Sequence, residues 1–174
     1  MKSTSASAQP VLRTALLFGA GLGALALGWV LLLLLTGSNP YGPRRLMTVP
    51  LVPVVVLASQ WFVRRYYPDG PGIKKAMLTG LLTAIFASAV SAATLYGLAR
   101  SASPALLERN TAEARQILQS ARSYYLKQPG GEAKYKLDQQ NIARTPQDLA
   151  QDEFSKKLIL GLLFAIPGGI FLRK

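Results

Sequence analysis

The chain has 174 residues, half of them hydrophobic, with 20 Lys and Arg against 8 Asp and Glu, a formal net charge of +12, and neither Cys nor His. Without cysteine there is no disulfide, lipoprotein anchor, thiolate nucleophile or Cys-based metal site, and without histidine the commonest metal ligand and general base are missing. A metalloenzyme and a Ser–His–Asp hydrolase are excluded on those grounds, and the length implies one domain over 1–174.

Residues 1–10 are small and polar with one basic residue, which predicts a short disordered tail. The first apolar block, Thr14–Thr36, contains no charge. Its twelve strongly apolar side chains contribute about −4 to −7 kcal/mol to insertion, at roughly −0.3 to −0.6 kcal/mol each. At 23 residues it exceeds a secretory h-region of about 7–15, so it reads as a retained span. The connector Gly37–Arg45 carries the turn signals Asn39–Pro40 and Gly42–Pro43.

A second block covers Leu46–Val63, and a tight link built on Pro68–Asp69–Gly70–Pro71–Gly72 leads to a third, Ala76–Ala99. Helices joined by such short links pack as antiparallel neighbours. Tyr41, Trp61, Phe62, Tyr66 and Tyr67 lie at block edges, where aromatic belts form. Pro53 and Pro167 are candidate hinges, because each removes a backbone donor and frees the carbonyl of Val49 or Leu163. Gln60 is the one amide inside a block, and its place near a span end lets it reach water.

Residues 100–157 form the extramembrane segment. Ser103 suits an N-cap and Pro104 the first helical position. Leu107, Thr111, Ala114, Ile117–Leu118, Ala121 and Tyr124–Tyr125 then mark one apolar face at three- and four-residue steps. The polar face is a nearly balanced mixture of charges, which favours packing across the bundle over lying on the membrane surface. Gln128–Pro129–Gly130–Gly131 ends that helix, and Thr145–Pro146–Gln147–Asp148 starts another with a capping box. Nothing breaks this helix before the fourth block, Leu158–Leu172. That block is short, about 22 Å of helix against a hydrocarbon core of about 30 Å. Phe154 can lengthen it, and Lys156 and Lys157 are expected to snorkel toward headgroups.

The fold class is therefore all-α: an integral membrane four-helix bundle with spans near 14–36, 46–63, 76–99 and 158–172 and an amphipathic segment before the last. The basic residues flank the spans as pairs, such as Arg44–Arg45 and Lys74–Lys75, which fits anionic headgroups better than nucleic acid. Near the span ends Lys and Arg divide equally between the two sides, and the compact Arg64–Lys75 loop places the termini on the cytoplasmic side of a bacterial inner membrane.

Gly19-x-Gly21-x-Gly23 lacks the preceding strand of a nucleotide loop. Small residues spaced by four instead predict close helix packing: Gly19–Gly23, Ala20–Ala24–Gly28, Gly80–Ala84–Ser88–Ala92 and Gly161–Ala165–Gly169. With no acid or base inside the blocks, a carboxylate-based proton relay has no carrier. The carboxylates outside them are scattered, so no catalytic, cofactor or metal site is assigned.

The turn Asp69–Gly70–Pro71–Gly72, the third span opening Met77–Leu78–Thr79–Gly80–Leu81, and the last span ending Ile170–Phe171–Leu172–Arg173–Lys174 together resemble a bacterial four-span family, the domain of unknown function numbered forty-one ninety-nine, found chiefly in Bacteroidota. The resemblance implies an integral inner-membrane protein and carries over no functional residue. The leading expectation is a non-catalytic protein, structural or accessory through helix packing, whose partners are the lipid bilayer and either a second copy or another membrane protein. The alternative is a small transporter or channel component, motivated by Pro53, Pro167 and Gln60.

Overall fold

The computed structural model describes residues 9–174. Most of the expected tail lies outside the described residues, and its last two positions, Gln9 and Pro10, already belong to the first helix.

The order of elements is α1 (Gln9–Leu35), a 3-10 turn (Pro43–Thr48), α2 (Leu51–Val63), a second 3-10 turn (Arg64–Tyr66), α3 (Gly72–Ser101), α4 (Pro104–Ser120), α5 (Arg122–Leu126), α6 (Gly131–Gln140) and α7 (Pro146–Phe171). No strand occurs among the described residues. Among the described residues four stretches are long and apolar enough to cross a membrane: Gln9–Leu35, Pro43–Tyr66, Gly72–Ser101 and Pro146–Phe171. The chain is an all-α, multi-pass membrane bundle.

α3 stands at its centre. Its most extensive contacts are with α7 and α1, and α2 packs against all three. The reason lies in side-chain size: α3 buries Thr79, Gly80, Thr83, Ala84, Ala87, Ser88, Ser91 and Ala92, so neighbouring backbones come close. In lipid that closeness, rather than expulsion of water, holds helices together.

The stripes divide accordingly. A Cβ on Gly19 would stand 2.6 Å from the Phe86 Cβ, and one on Gly23 would collide with Val90, so this pair faces α3. Gly161 meets Ala84, Gly169 meets Met77, and Gly80 meets both Gln60 and Ala165, which joins the α3 and α7 stripes along one seam. Ser88 and Ala92 continue that buried face of α3. Ala20, Ala24 and Gly28 point away from the bundle and are exposed.

α7 is longer than its apolar block. Thr145 caps it, accepting from the Asp148 amide at 3.2 Å while the Asp148 carboxylate accepts from the Thr145 amide at 3.0 Å, as the motif predicts. From Pro146 onward the helix carries Leu149, Glu153 and Lys157 into the bundle as buried residues. Twenty-six residues make about 39 Å of helix, ample for a bilayer core.

The turn ahead of α3 also holds the end of the chain. The Gly72 amide donates to the Arg173 carbonyl at 3.1 Å, and Gly70, at φ 84°, lies against Arg173 and Lys174, where a side chain would meet their backbone. Phe18 of α1 packs at a tilt against Phe62 of α2 with ring centroids 5.4 Å apart. The start of α1, the link before α3 and the end of α7 thus share one end of the bundle.

The segment between α3 and α7 departs from a single amphipathic helix. α4 stops at Ser120, α5 follows, and α6 forms an additional helix after Gly130, whose φ of 70° makes the turn. Only the first part of α4 docks: Leu106 and Leu107 pack on a cluster of Val30, Tyr41, Leu95, Ala99 and Leu149. Ile117, Tyr124, Leu126 and Leu137 remain exposed. The α5–α6 hairpin is closed by Tyr125, which donates to Asp138 at 2.7 Å and stacks edge-on against Tyr135. That bond to a carboxylate raises the Tyr125 phenol, and the Lys136 ammonium lowers Glu132.

Candidate functional site

Two polar nodes lie inside the bundle. The first gathers Arg45, Asp152, Glu153, Lys157 and Ser91. Glu153 and Lys157 stand one turn apart on α7, and Lys157 Nζ approaches Glu153 Oε1 at 2.7 Å. The ammonium also donates to Ser91 Oγ of α3 at 2.9 Å. Lys157 has no exposed surface, and Glu153 has 2 %.

Arg45 arrives from the 3-10 turn before α2. Its Nη1 donates to the Leu149 carbonyl at 3.3 Å and its Nη2 to Asp152 at 2.9 Å. Nη1 also stands 3.1 Å from Glu153 Oε2, close enough for charge attraction but not aligned as a hydrogen bond; that oxygen and Arg45 Nε have no hydrogen-bond partner among the described residues. Lys156, half exposed, covers Asp152 from outside at 2.7 Å. Two basic and two acidic groups are therefore matched within the node, and three elements meet there.

The node corrects two expectations. Lys157 does not snorkel; it turns inward because Glu153 and Ser91 give its ammonium partners that a lipid-facing rotamer would lack. Nor is the membrane region free of acids and bases. Ser91 lies eight residues, about 12 Å of helix, inside the Ala99 end of the third block, and Lys157 meets it there. Ionisable groups at such depth face a bundle interior and pair with one another, as these do. The sequence carried a signal for them: Asp152–Lys156 and Glu153–Lys157 are opposite charges spaced by four, which puts each pair on one helix face.

The second node centres on Gln60, which is fully buried and does not reach water at its span end. Its Nε2 donates to the Ala165 carbonyl of α7 at 2.7 Å and the Ala76 carbonyl of α3 at 3.2 Å, tying three spans. Its Oε1 has no hydrogen-bond partner among the described residues. Gly80 and Gly168 make room for the amide; a Cβ on either would strike it. Beside it Thr83 Oγ1 lies 2.9 Å from Ser59 Oγ and 2.8 Å from the Thr79 carbonyl. Thr79 and Ser88 donate back to Lys75 and Ala84, the usual way a hydroxyl is satisfied within a helix.

The two prolines sit differently. Pro53 is in the first turn of α2, where no helical bond is lost, and the Val49 carbonyl accepts from the Val52 amide at 3.0 Å. Pro167 lies inside α7, one residue before the Gly168 that packs on Gln60.

Outside the spans, Asn39 links the first connector to α4, donating to Glu113 at 2.6 Å and to Asn110 at 3.3 Å. Its carbonyl oxygen accepts from the Tyr41 amide, and burial pushes the neighbouring Tyr41 phenol up.

A family model described as Protein of unknown function (DUF4199) matches residues 17–174. The chain belongs to that family. It is the family to which the glycine turn, the third span and the last span pointed. No curated protein and no solved structure matches the chain.

Proposed function

We propose that the protein is a non-catalytic, multi-pass component of the bacterial inner membrane with a structural or accessory role exerted through helix packing, its termini on the cytoplasmic side. The observation that carries this reading is the mutual neutralisation of the buried charges. Arg45, Glu153 and Lys157 are at most 4 % exposed, Asp152 supplies the second acid, and the four hold one another, Ser91 and a backbone carbonyl, an arrangement that fixes α7 and the connector before α2 rather than presenting a reactive group. A second support is the exposed Ala20–Ala24–Gly28 stripe, which offers α1 a close-packing face toward another helix. Crosslinking in native membranes tests the proposal: recovery of a second copy or a membrane-protein partner is expected, and strict monomer alone overturns it.

One observation favours a small transporter component instead. An ion pair deep in the spans, with the unpartnered Gln60 oxygen elsewhere in the bundle, is the kind of feature that marks ion pathways. Ion or solute flux in proteoliposomes that falls in Gln60→Ala and Lys157→Met would support that reading, and absence of any flux would end it.

A further inference from the structure

A polar cavity of about 310 Å³ opens between the α1–α2 connector and α4, walled by Ser38, Asn39, Gly42, Arg44, Arg109 and Glu113. Its position along the membrane normal is set by its neighbours. The connector follows directly on Leu34 and Leu35, which are exposed to the surroundings of α1, and Trp29 of α1 donates its indole N–H to the Arg44 carbonyl at 2.9 Å. Trp29 stands six residues, about 9 Å, before the end of α1, and an indole tied to the connector at that height marks the boundary of the lipid headgroups.

The charges of the cavity are specific. Arg44 and Arg109 make no ion pair among the described residues, and Arg44 reaches only Ser38 Oγ, at 3.2 Å. Glu113 lines the cavity and accepts from Asn39 on Oε2, at 2.6 Å, while its other oxygen has no hydrogen-bond partner among the described residues. Two arginines and one glutamate line a space at the small end of the range for ligand pockets, about 300–1,000 Å³.

We propose that this cavity holds the headgroup of a phospholipid bearing a primary ammonium, of the phosphoethanolamine type. The phosphate meets Arg44 and Arg109, whose planar forks suit its oxygens, and the ammonium donates to Glu113. A glycerol headgroup lacks the cation that Glu113 calls for, and a quaternary choline has no proton to donate. The acyl chains then run along the exposed leucines of α1.

The test titrates the full chain in detergent with short-chain phosphatidylethanolamine, phosphatidylcholine, phosphatidylglycerol and inorganic phosphate, reading bound mass by native mass spectrometry. Phosphatidylethanolamine is expected to bind tightest. Arg44→Ala and Arg109→Ala each weaken it about fivefold, the effect of roughly one kcal/mol per arginine at a membrane surface. Glu113→Gln keeps an acceptor for Asn39, so it retains phospholipid binding and loses the preference for ethanolamine over choline. Equal binding of the three lipids, inorganic phosphate displacing lipid at equal concentration, or a preference unchanged in Glu113→Gln would each overturn the proposal.

Discussion

Replacing Glu153 by Gln changes one heavy atom and removes the only full counter-charge among the described residues within 4 Å of the Lys157 ammonium. Lys157 has no exposed surface, so water cannot take over the role. Breaking one side of a buried pair costs about 3–5 kcal/mol, because the remaining charge is left in a poor dielectric. Lys157→Met costs less, about 1–3 kcal/mol. Glu153 then keeps the Arg45 guanidinium 3.1 Å from Oε2, and only Oε1 loses its partner. In the double variant Glu153→Gln/Lys157→Met neither buried charge remains, while Arg45 still has Asp152 at 2.9 Å, so stability should return to within about 2 kcal/mol of the parent. The singles together are worth about 4–8 kcal/mol, and the cycle therefore carries a coupling of at least about 2 kcal/mol. Reversible unfolding of the three variants in mixed detergent micelles measures all of these terms. Additive losses, or a Glu153→Gln protein as stable as the parent, would refute the claim that the pair is a mutually dependent buried unit.

Gly80→Val drives a side chain into Gln60 and Ala165 and should lower stability by about 1–3 kcal/mol, whereas Gly97→Ala, with nothing within 4 Å, should stay within about 1 kcal/mol; the same unfolding assay compares them. Thr145→Ala loses the capping box of α7 and should cost about 0.5–2 kcal/mol, seen as faster hydrogen exchange in its first turns. The chain has no cysteine, so Ala24→Cys reports cleanly on the outward stripe of α1. Oxidative dimers in native membranes are expected for it and not for Gly19→Cys, which is buried against Phe86, and the reverse pattern would place the interface elsewhere. Reporter fusions after Gly131 and after Lys174 should report opposite sides of the membrane, since the bundle puts α6 and the chain end at opposite ends; identical readouts would break the four-span topology.

The membrane class, the four spans and the Thr145–Asp148 cap were already present in the order of residues. Each rests on local chemistry, namely the length of an uncharged run or a hydroxyl three positions before a carboxylate. The position of Lys157 was not available in that way. Read along the chain it is a flanking cation, and only the approach of α3 with Ser91, and of the Arg45 turn, converts it into a buried one. Gln60 tells the same story, because its partners Ala76 and Ala165 are 16 and 105 residues away.

Small-residue stripes show where the boundary falls. Spacing by four identifies helix faces on which backbones can approach, and that much is written in α1, α3 and α7 individually. Which face meets which is a property of the assembled bundle: Gly19–Gly23 turns to Phe86 and Val90, while Ala20–Ala24–Gly28, one residue on and about 100° around the same helix, turns outward. Periodicity specifies a direction around one axis, and only packing against the other three helices specifies what stands in that direction.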